Sequence, residues 1–65
     1  MIGEKTTKRE GLARVTEAEQ YLGVSRATVY TLMDKGDLAY TKIGRSRRIP
    51  WAALQELVER NTIGR

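Results

Sequence analysis

The residues that most constrain this chain are Leu22-Gly23-Val24-Ser25, a break set inside the run VTEAEQYLGVSRATVYTL from Val15 to Leu32. Apolar residues recur at helical spacing on both sides of it. Gly23 sits where a left-handed backbone is cheap, Val24 offers an apolar side chain to tuck inward, and Ser25 is a good N-cap for the next helix. Two short helices separated in this way must cross steeply. Leu22, Val24, Val29 and Leu32 are then expected to meet between them, which is how a helix-turn-helix buries its small core. Such a unit usually presents its second helix to the major groove of DNA.

The flanking residues set the bounds. Thr16 followed by Glu19 reads as a capping box, so the first helix is expected to start there and run to about Leu22, with Ala18 and Leu22 inward and Tyr21 partly against the preceding arm. The second helix spans Arg26 to Lys35 with Val29, Leu32 and Met33 as its inner stripe, and Gly36 closes it. Arg26, Ala27, Tyr30, Thr31 and Asp34 fall on the other side.

From Leu38 to Ile49 the pattern changes to strand: Tyr40, Thr41 and Ile43, a turn at Gly44-Arg45-Ser46, then Arg47, Arg48 and Ile49. Ile43 and Ile49 are expected to face the helices, leaving Lys42 and Arg48 outward. Pro50 stops the strand, and Ala53, Leu54, Leu57 and Val58 form the inner stripe of a last helix, with Glu56 and Arg60 as an i,i+4 pair. The expected fold is mostly α with a small β-hairpin: a winged helix-turn-helix over residues 12–60, between a loose arm at 1–11 and a frayed end at 61–65.

Composition narrows the function. The chain has 65 residues, no Cys and no His, so thiolate metal sites, disulfides and imidazole catalysis are excluded. No Gly-rich phosphate loop joins a strand to a helix, and the acids Glu17, Glu19, Asp34, Asp37, Glu56 and Glu59 are dispersed. The sequence therefore predicts neither an enzyme nor a cofactor or metal. No apolar run approaches the roughly 20 residues of a membrane span. The start MIGEKTTKREG lacks the apolar core of a signal peptide, and a cytoplasmic setting is expected. Net charge is +4, from 12 basic and 8 acidic residues. Its placement matters more than its size. No acid lies between Leu38 and Gln55, whereas Lys42, Arg45, Arg47 and Arg48 crowd together, the footprint of a nucleic-acid binder.

Each candidate side chain has a distinct chemistry. Arg26, at the start of the second helix, can reach a guanine edge or clamp a phosphate. Tyr30 can hydrogen-bond phosphate, the Thr31 methyl can touch a thymine methyl, and Ala27 lets the helix approach closely. Thr28 suits a phosphate or the helix start equally. The tip carrying Arg45, Ser46 and Arg47 is slim enough for a minor groove, whose negative potential favours Arg; the plainer reading is a charged edge hairpin kept soluble. Trp51 fits the core, a backbone contact or a protein contact.

The stretch VTEAEQYLGVSRATVYTLMDKGDLAYTKIGRSRRIPWAALQELV resembles the excisionase-type DNA-binding domains, relatives of the MerR-like winged helix-turn-helix proteins. The resemblance rests on YLGVSRATVY, KGDL, KIGRSRRIP and AALQELV, and covers about residues 12 to 60. It implies Arg26, Ala27, Thr28, Tyr30 and Thr31 in the major groove, Arg45, Ser46 and Arg47 in a minor groove, and Ser25, Lys42 and Arg48 on the backbone. It also implies a phage excisionase, or recombination directionality factor. Such proteins bind double-stranded attachment-site DNA side by side, head to tail, and bend it so that an integrase excises the prophage. A chain this short has no room for the dimerisation helix and effector domain of larger MerR-type regulators. A small regulator with only this domain is the alternative, and a protein-interaction module using Trp51 and Tyr40 is a third reading from another class.

Overall fold

The computed structural model describes residues 10–64; the arm expected at 1–11 lies outside these apart from Glu10 and Gly11. The elements are β1 (Leu12–Ala13), α1 (Val15–Leu22), α2 (Arg26–Asp34), β2 (Thr41–Ile43), β3 (Ser46–Pro50) and α3 (Trp51–Asn61). The expected two-stranded hairpin is one part of a three-stranded antiparallel sheet ordered β1-β3-β2. Leu12 pairs with Pro50 and Ala13 with Ile49, and the Trp51 N–H donates to the Gly11 carbonyl at 3.1 Å. A two-residue strand shows no alternation, so periodicity could not reveal it.

That extra strand moves the start of α1. The helix begins at Val15, with Arg14 as its N-cap residue, rather than after Thr16. The expected Thr16–Glu19 box is replaced by a hydrogen bond from the Arg14 N–H to Glu17 Oε1 at 2.8 Å. Pairing with β3 delivers the chain to the helix two residues early, so the cap falls on a residue that cap propensity would not choose. The displaced Glu19 becomes available to α2.

The core lies where the three helices meet the inner face of β3. Val15 and Ala18 of α1, Val29 and Met33 of α2, Ile49 of β3, and Trp51, Leu54 and Leu57 of α3 are buried, together with Ala13 and Leu38. Complete burial of a Val, Ile or Leu contributes about 1.5–3 kcal/mol. Of the four residues expected between α1 and α2, only Val29 is fully buried. Leu22 and Leu32 are half-buried, and Val24 is 36% exposed. Val24 lies with them at an open apolar groove of about 290 Å³ that reaches Leu57 and Val58 of α3.

The turn itself follows the sequence. Gly23 takes a left-handed backbone (φ +70°), and its N–H donates to the Glu19 carbonyl at 2.8 Å. Beyond α2, Leu38 is pinned by its N–H to the Leu32 carbonyl at 3.1 Å. Pro50 ends β3 and serves as the N-cap residue of α3. At the other end of α3, Asn61 Nδ2 donates to the Leu57 carbonyl at 2.8 Å, so the helix continues through Asn61. Arg60 reaches the Asp37 carbonyl at 2.8 Å instead of pairing with Glu56. The Asp37 carbonyl is an acceptor distant in sequence that an i,i+4 reading does not consider.

Candidate nucleic-acid interface

Ser25 sets the N-terminus of α2. Its Oγ accepts the Thr28 N–H at 3.2 Å and lies 3.0 Å from Thr28 Oγ1. Thr28 therefore serves the helix start, and Ser25 and Thr28 are tied to each other while remaining exposed. Beyond the cap, α2 turns Arg26, Ala27 and Thr31 to solvent, with Tyr30 half-buried beside them. The Arg26 guanidinium bonds Glu19 Oε2 at 3.2 Å and lies 5.6 Å from the Tyr30 ring centre. Glu19 thus holds the first candidate reader in place and partly neutralises it.

In the wing, Thr41 pairs with Arg48, Lys42 with Arg47 and Ile43 with Ser46. Gly44 (φ +61°) provides the left-handed residue of the tight turn, so Arg45 occupies the exposed tip with Ser46 after it. Residues directly opposite share a face, and successive residues alternate. Ile49 is buried, so Arg47 lies on its side of the sheet and Ser46 and Arg48 on the other. Ile43, opposite Ser46, therefore points away from the helices and is 57% exposed, contrary to expectation. Lys42, paired with Arg47, shares the Ile49 side rather than the outward side expected for it, though it is exposed. Arg48 is outward as expected but half-buried, and donates to the Arg47 carbonyl at 3.0 Å.

The same alternation turns Arg47 back onto α2 rather than out from the tip. Its guanidinium lies 5.2 Å from the Tyr30 ring centre and 4.6 Å from that of Tyr40, and bonds Asp34 Oδ1 at 3.3 Å. Tyr30 consequently carries two guanidinium groups, one from each end of the interface, and the wing is fastened to the exposed side of α2. Sequence reading did not identify Glu19, Asp34 and Tyr40 as supports. Their roles depend on the β2–β3 register and on contacts between elements, for which the sequence pattern carries no signal. Arg14 was also missed, since the expected cap at Thr16 left it outside the first helix.

Trp51 is in the core at 7% exposure, packed edge-on to Tyr21 with ring centres 5.7 Å apart and planes at 76°. It is not available as an exposed interaction anchor, and the Tyr40 ring carries Arg47. Among the described residues no group of His, Cys, Asp and Glu could hold a metal, and no helix is long and apolar enough to cross a membrane.

Two crossing helices with a Ser-capped second member, followed by a basic hairpin and a core-closing helix, define a winged helix-turn-helix protein. The helix-turn-helix domain family matches residues 14–62, and the chain belongs to that family. Its likeness is to the excisionase-type DNA-binding branch: it is 39% identical over 49 residues to a probable excisionase of Saccharopolyspora erythraea, a match covering 75% of this chain. The chain spans 50% of the length of that relative. No solved structure matches.

Proposed function

We propose that the protein is a recombination directionality factor that binds attachment-site DNA in the cytoplasm of a bacterial or phage-infected cell and directs an integrase toward excision. Residues 12–60 act as the DNA-binding unit. The observation carrying this reading is the fastening of the basic wing to α2 through Arg47, which joins the wing and the exposed side of the second helix in one surface. In this arrangement α2 enters the major groove with Arg26, Ala27, Tyr30 and Thr31 toward base edges, and Thr28 at its rim. Arg45 and Ser46 enter the adjoining minor groove. Arg47 sits at the root of the wing and sets its angle to α2. Ser25, Lys42 and Arg48 flank these elements at the phosphates.

Copies bind neighbouring sites head to tail, and the combined wings and helices bend the DNA. The name of the S. erythraea relative favours this role over that of a small transcriptional regulator. The test is reconstitution with the cognate integrase on supercoiled substrate carrying the prophage junctions. Dependence of excision on this protein supports the reading. Duplex binding with no effect on excision identifies a regulator, and absence of a mobility shift on every duplex removes DNA binding altogether.

A further inference from the structure

Among the described residues, Arg14 is the one arginine at the wing's concavity that belongs neither to α2 nor to the hairpin. The β1–β3 pairing brings it there: Leu12 pairs with Pro50 and Ala13 with Ile49, so Arg14 follows the paired residue of β1 as Arg48 precedes that of β3. Like charges gathered without a counter-charge repel one another. The pair also borders an open concavity of about 300 Å³ lined by Arg14, Thr16, Arg26, Arg45, Arg47 and Arg48, with no carboxylate in its lining.

The five guanidinium groups are not equivalent. Arg26 is bonded to Glu19 and Arg47 to Asp34, whereas Arg14, Arg45 and Arg48 have no carboxylate partner among the described residues. Arg45 is committed to the wing tip. Arg14 and Arg48 are left as two adjacent, uncompensated cations at the joint between α1 and the wing. Guanidinium forks match the oxygens of a phosphate, and two of them can share one anion.

We infer that Arg14 and Arg48 together form a phosphate-binding site, occupied by one DNA backbone phosphodiester when α2 and the wing engage adjoining grooves. The inference rests on the DNA-binding reading above and adds α1, through Arg14, to the contact surface. Because the phosphate compensates both cations, the two losses on mutation overlap. An Arg14 substitution also removes repulsion from the free protein, so binding and stability move in opposite directions.

The experiment compares the wild-type chain with Arg14→Gln, Arg48→Gln and the double variant. Inorganic phosphate is titrated with the arginine Nε–Hε resonances observed, and each protein is then titrated with a duplex at several salt concentrations. The inference expects phosphate to shift the Arg14 and Arg48 resonances. It expects Arg14→Gln to bind duplex several-fold more weakly, with a log–log salt slope shallower by about 0.9. The double variant should lose little more than one single variant, and the midpoint of Arg14→Gln melting should be unchanged or raised. Duplex binding by the wild type with an unchanged slope in Arg14→Gln overturns the inference. Phosphate shifts at Arg14 and Arg48 without an effect on duplex binding assign the site to free anion and overturn its place on DNA. If the wild type binds no duplex, the functional reading fails, and phosphate shifts then decide separately whether the anion site exists.

Discussion

Arg47 holds its guanidinium 4.6 Å from the centre of the Tyr40 ring while bonding Asp34 Oδ1 at 3.3 Å, so one side chain joins the wing to both ends of the α2–β2 connection. Its side chain is only 28% exposed, and the Tyr30 ring lies on it at 5.2 Å. An arginine in these surroundings is partly desolvated, and its planar group is used for stacking as well as for charge. The residue that its place near the wing tip suggested for a minor groove is instead the one that fixes how the wing and α2 are set relative to one another.

Arg47→Ala should therefore cost about 1–2 kcal/mol of stability, the scale of a partly desolvated cation–π contact together with an ion pair. In a domain of this size each kcal/mol lowers the melting midpoint by about 4–8 °C. Arg47→Lys should recover only part of the loss, because an ammonium cannot stack flat on two rings. A double-mutant cycle with Tyr40→Leu in urea should give a coupling of at least about 0.5 kcal/mol. Additive losses would mean that Arg47 and Tyr40 contribute independently and that the wing is not fastened through this pair.

If Arg26 contacts DNA as proposed, Glu19 should compete for it. Binding must loosen an ion pair of 3.2 Å whose Arg26 side chain is 58% exposed. Exposed pairs of this kind contribute about 0.2–1 kcal/mol, which corresponds to at most about a fivefold change in affinity. Glu19→Gln should accordingly tighten binding to random duplex by up to about fivefold, with a smaller gain on a specific site, so the specificity ratio falls. Arg26→Ala should weaken specific binding by about 1–3 kcal/mol if the side chain reads a guanine. Fluorescence anisotropy on specific and random duplexes separates these effects. Equal losses on both duplexes would make Arg26 a phosphate contact.

The wing tip offers a cleaner electrostatic test, since Arg45 is exposed and has no ion-pair partner among the described residues. Arg45→Ala should leave the melting midpoint unchanged. If the tip lies in a minor groove, the substitution should reduce the preference for A·T-rich sequence at one position of the site without altering base preference elsewhere. Selection of binding sites from a randomised duplex pool, wild type against variant, measures this. Identical selected pools would assign Arg45 to solubility of the edge hairpin.

The helix-turn-helix was legible because its backbone is dictated by a few residues. Gly23 and Gly36 adopt the left-handed conformation (φ +70° and +84°) that their positions suggested, and Ser25 caps α2 as expected. Val29 and Met33 are buried as their spacing implied. The departures share a different cause, contact between elements distant in sequence. Ala13 is buried only because it pairs with Ile49, and that pairing moves the α1 cap from Thr16 to Arg14. Ile43 is exposed because the turn at Gly44-Arg45 sets it opposite Ser46. Local alternation cannot supply that register until the turn length is known. The site was similarly divided: Arg26, Ala27, Thr31 and Arg45 lie on the exposed face foreseen for them, whereas the supports Glu19, Asp34 and Tyr40 depend on tertiary contact.

Trp51 is the largest side chain in the small core. It is 7% exposed, opens α3, and meets Tyr21 edge-on at 5.7 Å. Trp51→Ala should cost about 3–5 kcal/mol, a large share of the roughly 5–15 kcal/mol available to a folded domain. The variant should be largely unfolded at 37 °C by far-ultraviolet circular dichroism. Trp51→Phe should fold and melt lower. A native-like melt of Trp51→Ala would show that Trp51 is a surface residue packed on an otherwise sufficient core.

The final prediction concerns how so small a reader acquires specificity. The nine residues of α2 present a helix about 13 Å long at 1.5 Å per residue, enough to meet only a few base pairs. A genome offers on the order of 10⁶ or more competing sites, so a single unit with so short a readout cannot find one address. Neighbouring copies on direct repeats solve this, because each bound unit raises the effective concentration of the next. A head-to-tail contact of this kind is heterologous and need not close, so it can extend along the duplex. Each unit inserting a wing on the same side of the helix adds its deformation in phase, and a bend results. Titration on duplexes with one, two and three direct repeats should show affinity per site rising with repeat number, and insertion of five base pairs between repeats should abolish the gain. Circular-permutation mobility should place the bend at the centre of the array. Independent filling of the sites on straight DNA would instead leave the protein as a simple regulator acting one copy at a time.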